Sequence, residues 1–204
     1  MKKTVNNLQL LNAIFIASLL TSNVIAGKVI TFWGLVVPAA VIVYPLTFLM
    51  TDIIGEIWGK ESSGKTVRNG LICQVLALVF IGIALVLPIA PFATDFQIQF
   101  AAVLGQSVRV IVASLVAYSI SQTTDVVIFH RLKAKTGRGK KWLRNNLSTM
   151  TSQLLDTAVF ILIAFWGTVP NIWIMILSQY LIKVVYALLD TPFFYLLTKE
   201  IKES

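Results

Sequence analysis

The sequence predicts an all-α integral membrane protein with six transmembrane helices and with both termini in the cytoplasm. The chain has 204 residues, of which 57% are hydrophobic and only 13% are charged. Soluble globular proteins carry about 25% charged residues, so the composition argues against an ordinary soluble domain. Six apolar segments are each long enough to cross a hydrocarbon core of roughly 30 Å, which takes about 20 residues. The distribution of Lys and Arg residues predicts which ends of these segments face the cytoplasm.

The loops between these segments are too short for a soluble domain, so residues 1–204 are expected to form a single transmembrane domain. The fourth span, and the second to a lesser degree, is longer than a perpendicular crossing needs, which allows it to tilt, kink or project into the cytoplasm. The expected spans are approximately residues 8–27, 34–58, 67–88, 98–129, 145–167 and 170–197.

The first span overlaps a stretch that also resembles a cleavable signal peptide, with Val24 and Ala26 in a cleavage pattern. We interpret it as an uncleaved span because polar residues, Asn12 and Asn23 among them, interrupt its apolar run. The spacing between these two asparagines places them on one face of a helix.

The basic residues are distributed asymmetrically between the two sides of the predicted membrane. Of the 17 Lys and Arg residues, only Lys28 falls in an outer loop, and Arg109 and Lys183 fall within spans. Cytoplasmic loops of membrane proteins carry an excess of Lys and Arg, so both termini are predicted inside. Topology thus explains most of the net charge of +8, and no nucleic-acid partner is expected. The alternative to a purely topological role is that the basic loop after the fourth span binds anionic lipid or RNA.

The second span ends with Asp52 and Glu56, which are four residues apart and share a helical face. Like charges in a low-dielectric setting make one another easier to protonate, which suits proton coupling. The alternative interpretation is a solvated helix end. We take these two carboxylates as the candidates for proton coupling.

The fourth and fifth spans repeat a Ser-Gln-x-x-Asp pattern, as "SQTTD" at 121–125 and "SQLLD" at 152–156. A carboxylate within a membrane is costly, so such residues are expected to face a cavity or one another. In the fifth span, polar residues recur every three or four positions along one face and stop at Asp156, near mid-depth. This stripe consists of Asn145, Ser148, Thr149, Ser152, Gln153 and Asp156.

The sixth span carries a comparable stripe, formed by Gln179, Lys183, Tyr186 and Asp190. Lys183 lies near mid-depth, where an unpaired ammonium would be expensive. Asp156, at a similar depth in the adjacent antiparallel helix, is its nearest candidate partner. The alternative is an ion pair that only ties two helices together.

Arg109 lies sixteen residues before Asp125, or about 160° around a straight helix. It is therefore expected to serve the outer half of the fourth span. The sequence contains no phosphate-binding loop, zinc-protease motif or nucleophile elbow. With one Cys and one His, no metal, cofactor or enzymatic reaction is expected. Transport is the simplest interpretation of the polar residues within the spans.

Four separated motifs resemble one family. They are "LTFLMTDIIGEIWGK", "YSISQTTDVVIFHRLK", "WLRNNLSTMTSQLLDTAVFI" and "KVVYALLDTPFFYLL", and in this order they are similar to the queuosine precursor transporter family, also called the vitamin-uptake-like transporters. The resemblance covers nearly the whole chain. One departure is Trp58, where the family more often has tyrosine; another is "KTVRNG", where a tighter Ala-Arg pair is expected.

The resemblance implies a multi-pass protein of the bacterial inner membrane that imports the 7-deazaguanines preQ0 and preQ1 for queuosine modification of tRNA. A deazaguanine has adjacent N–H donors and a carbonyl, which carboxylates and Gln amides can satisfy. We expect the two Ser-Gln-x-x-Asp motifs to line the substrate path. Residues of the other matched motifs are second choices for the same role. In that order the candidates are Gln122, Asp125, Gln153, Asp156, Asn145, Asn146, Lys183 and Asp190.

The leading hypothesis is a carrier that works by alternating access, either with a proton as coupling ion or by facilitated diffusion and metabolic trapping. A substrate-capture subunit that needs a separate energising module is the alternative. An intramembrane enzyme is disfavoured because the sequence pairs no nucleophile with a base. The resemblance does not choose among preQ0, preQ1 and queuine, and a homodimer is compatible with it.

Overall fold

The computed structural model describes residues 3–136 and 141–198, and these residues are mostly helical. The described part contains six α-helices, one two-stranded antiparallel hairpin and one short 3₁₀ helix. In chain order the elements are α1 (Val5–Ile25), β1 (Val29–Phe32), β2 (Leu35–Pro38), the 3₁₀ helix (Ala39–Ile42), α2 (Tyr44–Trp58), α3 (Lys60–Val86), α4 (Thr94–Thr136), α5 (Lys141–Phe165) and α6 (Ile172–Thr198).

Four segments are long and apolar enough to cross a membrane by length and composition. They are Val5–Ile25, Ala39–Trp58, Lys60–Val86 and Thr94–Ser121. Shorter apolar stretches occupy Met150–Phe165 in α5 and Ile172–Tyr186 in α6. These segments agree with the predicted helical membrane protein. Helix α4 has 43 residues, about 65 Å at 1.5 Å per residue, so it extends well beyond one hydrocarbon core.

The second predicted span, approximately residues 34–58, begins earlier than the apolar helical segment Ala39–Trp58 of the structure. Residues 35–38 form β2, and α2 begins only at Tyr44. The chain reverses at Trp33 and Gly34, whose φ angles of 50° and 79° are both positive and suit the tight turn of a hairpin. Pro45 lies in the first turn of α2, where a missing N–H costs no helical hydrogen bond. Hydropathy alone did not separate the hairpin from the helix because both are apolar.

The hairpin is anchored on α6 through a small buried cluster. Val37, Val41 and Ile182 are 0%, 7% and 5% exposed, and Tyr186 packs at the edge of the cluster. A two-stranded hairpin is marginal by itself, so this contact explains why it forms here. The hairpin and the 3₁₀ helix thus bring the start of α2 to the middle of α6.

Helices α1 and α3 lie side by side and approach closely. The Thr66 hydroxyl donates to Asn12 Oδ1 at 2.6 Å, and Asn12 Nδ2 donates to the Leu8 carbonyl at 2.8 Å. This hydrogen bond joins the two helices through Asn12. One turn further along α3, Gly70 is buried against Phe15 and Leu19.

Gly70→Ala is expected to lower the stability of the folded protein. A Cβ at this position would lie 2.5 Å from Phe15 Cε1 and 2.9 Å from Leu19 Cδ2, so both side chains would have to move. Overpacking of this kind costs about 1–3 kcal/mol, which would lower the thermal unfolding midpoint of the detergent-purified protein. Gly82→Ala is the matched control because nothing lies within 4 Å of its Cβ. Equal midpoints for the two variants would contradict the close α1–α3 contact.

Candidate functional site

An ion pair joins α5 and α6 at the centre of the helix bundle. Lys183 Nζ lies 2.9 Å from Asp156 Oδ2, and their side chains are 14% and 20% exposed. The pairing predicted from depth alone is confirmed. Since removing one partner of a buried pair leaves an uncompensated charge, the two groups stabilise each other in place.

The pair lies near mid-depth of both helices. Asp156 is nine residues before the end of α5, and Lys183 is eleven residues after the start of α6. At 1.5 Å per residue these offsets are about 14 and 16 Å, roughly half of a hydrocarbon core. Neither side chain therefore reaches the outer interface, and the residual exposure of the pair indicates open space beside it.

Tyr44 completes the surroundings of the ion pair, and sequence reasoning missed it. The Lys183 ammonium lies 5.9 Å from the centroid of the Tyr44 ring, within range of a cation–π attraction. The one sequence signal was Pro45, which is typical of a helix start and placed the start of α2 inside the second predicted span.

Helix α2 begins beside the ion pair, since its first residue is Tyr44. It has 15 residues, about 22 Å, and it ends at the tight junction with α3 at Gly59. The preceding residue, Val43, makes no side-chain hydrogen bond to the first turn. Helices that start within a membrane direct the positive ends of their dipoles at bound polar groups in transporters. The start of α2 thus adds to the polar character of the centre.

Two glutamines flank the ion pair. Gln153 and Gln179 lie three and four residues before Asp156 and Lys183, so each shares a helical face with its neighbour. Both are partly buried, and Gln179 Oε1 has no hydrogen-bond partner within the described residues. A buried acceptor without a donor is costly. A ligand N–H would satisfy it.

The other predicted site residues divide into two groups. Asp52 and Glu56 are exposed positions of α2, about 12 and 18 Å along the helix from Tyr44, so the structure does not bring them to the ion pair. The side chains of the remaining candidates lie outside the described residues. These are Gln122, Asp125, Asn145, Asn146 and Asp190.

Arg109 of α4 contacts the end of α5. Its Nε donates to the Ile163 carbonyl at 2.6 Å and its Nη2 to the Trp166 carbonyl at 2.8 Å. Gln106 Nε2 donates to the Ala164 carbonyl at 3.0 Å. These carbonyls belong to the last turn of α5 and the residue after it, where helices lack internal donors and favour cations. Arg109 therefore holds α4 against the end of α5.

Within residues 3–136 and 141–198, no three His, Cys, Asp or Glu side chains are grouped so that they could hold a metal ion. Cys73 is a free, partly buried thiol of α3. The described centre offers hydrogen bonding, charge and aromatic contact. These interactions suit recognition of a small polar molecule.

Comparisons with known proteins agree with a transporter. A family model described as "Putative vitamin uptake transporter" matches residues 38–197. The "Probable queuosine precursor transporter" of Bacillus subtilis (strain 168) is 33% identical over 184 residues, which is 88% of this chain and 80% of that protein. No solved structure matches the chain.

Two further relatives match over a shorter range. The "Queuosine precursor transporter" of Escherichia coli (strain K12) is 29% identical over 126 residues, and the "Probable queuosine precursor transporter" of Haemophilus influenzae is 30% identical over 127 residues. Each match covers 60% of this chain, with 52% and 49% of the respective relative. The chain thus aligns with about half the length of these two proteins.

Proposed function

This chain belongs to the vitamin uptake transporter family, and we propose that it imports queuosine precursors across a bacterial inner membrane. The family model covers most of the chain, and three relatives carry queuosine precursor transporter names. The apolar helices make it a multi-pass membrane protein. Its relatives are named as transporters rather than enzymes, in agreement with the sequence-based expectation.

The observation that carries the proposal is the Lys183–Asp156 ion pair, partly exposed at mid-depth beside the Tyr44 ring. A 7-deazaguanine, such as preQ0 or preQ1, presents N–H donors for a carboxylate and a carbonyl for an ammonium. Its planar face suits an aromatic ring, and a further donor would satisfy Gln179 Oε1. In this arrangement the ligand replaces the contacts that the two charges make with each other.

The full binding path in this proposal extends from Asp156 and Lys183 along the polar stripes of α4, α5 and α6. Gln153 belongs to the same face as Asp156. The remaining members are those predicted from the sequence: Gln122, Asp125, Asn145, Asn146 and Asp190.

The proposed topology has six spans in a single domain, with both termini in the cytoplasm. Helices α5 and α6 have 25 and 27 residues, which is enough length to cross a membrane, and the Lys and Arg asymmetry favours cytoplasmic termini. A homodimer is part of the proposal, and the mass of the purified protein in detergent tests it.

The proposed cycle is alternating access around the ion pair. Asp52 and Glu56 are the carboxylates proposed for proton coupling. Their distance from Tyr44 means that coupling would act through movement of α2 rather than by direct contact with the ligand. A proton gradient that leaves the uptake rate unchanged would favour facilitated diffusion instead.

Restored queuosine formation tests the function. In cells that neither make the precursors nor possess their own importer, expression of this chain is expected to restore queuosine in tRNA at limiting external preQ0 or preQ1. Queuosine that stays absent, with the protein present in the membrane, would contradict the proposal. Uptake of labelled precursor into liposomes that contain only the purified protein separates a complete carrier from a substrate-capture subunit, which would remain inactive alone.

A further inference from the structure

A groove lies between α3 and α4, near the junction of α2 and α3. Its volume is about 320 Å³. Tyr118 of α4 forms one wall, and α3 supplies the rest: Lys60, Ser63, Gly64, Val67, Arg68 and Leu71. Since α3 begins at Lys60, the two cations lie close to one end of an apolar helix, where a membrane surface is expected.

Beyond the groove, the exposed face of α3 changes from polar to apolar along a single line of residues. Lys60, Gly64 and Arg68 follow one another at steps of four residues, so they share a helical face. From Arg68 the same line continues through Ile72, Val75 and Val79, which are 52%, 46% and 49% exposed. Arg68 and Val79 are about 16 Å apart along the helix, close to the thickness of one leaflet of hydrocarbon.

The two cations of this line are available to a ligand. Lys60 and Arg68 are exposed, and within residues 3–136 and 141–198 the structure shows no ion pair to either. Lys65, on a different face of the same turn, is paired with Glu61 at 2.8 Å. Gly64 leaves room between the cations, because nothing lies within 4 Å of its Cβ position.

We propose that this groove binds an anionic phospholipid, with its phosphate between Lys60 and Arg68 and an acyl chain along Ile72, Val75 and Val79. Along α3 the positive charges come first and the apolar surface follows, just as the charged headgroup of a phospholipid is followed by its acyl chains. Basic pockets between transmembrane helices recognise such headgroups. A freely diffusing anion would not need the apolar continuation. Among the four long apolar segments, α3 is the least covered by protein, with 11% of its apolar window buried, so a lipid can reach it. With the topology proposed above, the lipid belongs to the cytoplasmic leaflet.

Lipid binding to the purified protein tests this site directly. Native mass spectrometry is expected to show retention of phosphatidylglycerol over phosphatidylcholine. Lys60→Gln with Arg68→Gln should weaken the phosphatidylglycerol affinity about thirtyfold, since each basic residue near a membrane surface contributes about fivefold. Arg68→Gln alone should weaken it about fivefold. Lys65→Gln is the matched control for this single variant, because it also removes one positive charge within one turn of α3, and it should retain full affinity. Equal weakening by the control would overturn the proposal, because it would show attraction to net charge alone.

A steric variant keeps the test independent of charge. Gly64→Leu should block the groove without disturbing the fold, because its Cβ meets open space, whereas Gly82→Leu, also in open space about 27 Å further along α3, should not. Undiminished lipid retention in Gly64→Leu would overturn the proposal. So would equal thermal protection by inorganic phosphate, which would assign the groove to a soluble anion. Because the readout is lipid binding, its failure is distinguishable from failure of the proposed transport function.

Discussion

Asp156→Asn is expected to lower the uptake of queuosine precursors severely while the protein still inserts into the membrane. The substitution keeps the shape of the side chain and removes the charge that Lys183 contacts at 2.9 Å. A charge-assisted hydrogen bond contributes about 1.5–3 kcal/mol, so loss of the carboxylate should reduce uptake at limiting precursor by about tenfold to a hundredfold. The measurement is the initial rate of labelled precursor uptake, normalised to the amount of protein in the membrane fraction.

Asp95→Asn supplies the control for this experiment. Asp95 is an exposed carboxylate in the first turn of α4, at the opposite end of the helix from the Ser-Gln-x-x-Asp motif. The same chemical change there should leave uptake within about twofold, because exposed charges contribute little. Wild-type uptake in Asp156→Asn would remove Asp156 from the proposed substrate path.

The ion pair was predictable because the membrane makes unpaired charge expensive. Asp156 and Lys183 were predicted at a similar depth of neighbouring spans, so pairing them was the arrangement of lowest free energy for the two charges. The role of Arg109 was only partly predictable. Its helical phase predicted a position toward the outer half. Its hydrogen-bond acceptors, however, are the backbone carbonyls of Ile163 and Trp166. Every residue has a backbone carbonyl, so the amino-acid sequence does not indicate which carbonyls Arg109 contacts.

Tyr44 and the hairpin were not predictable for a different reason. Residues 29–43 are apolar, so hydropathy merged part of them with α2 into one long span. The hairpin forms because Val37 and Val41 pack on Ile182 of α6, a contact more than 140 residues away in the chain. That tertiary contact helps to bring the start of α2 to the middle of α6, where the Tyr44 ring lies near Lys183.

The double variant Asp156→Asn with Lys183→Gln is expected to regain stability without regaining transport. Asp156→Asn alone leaves the Lys183 ammonium without its partner, and breaking a buried pair in this way costs about 3–5 kcal/mol. The second substitution removes that charge and leaves two neutral groups that can still form a hydrogen bond. The thermal unfolding midpoint of the purified double variant should therefore lie well above that of Asp156→Asn.

Transport in the double variant separates the two roles of the ion pair. If the pair only ties α5 to α6, uptake recovers together with the unfolding midpoint. If Asp156 receives the N–H donors of the substrate, uptake stays absent in a protein that is again stable, because an amide cannot replace both acceptor oxygens of a carboxylate. Recovered uptake would thus contradict the proposed site, whereas stability without uptake assigns the Asp156 carboxylate to the substrate.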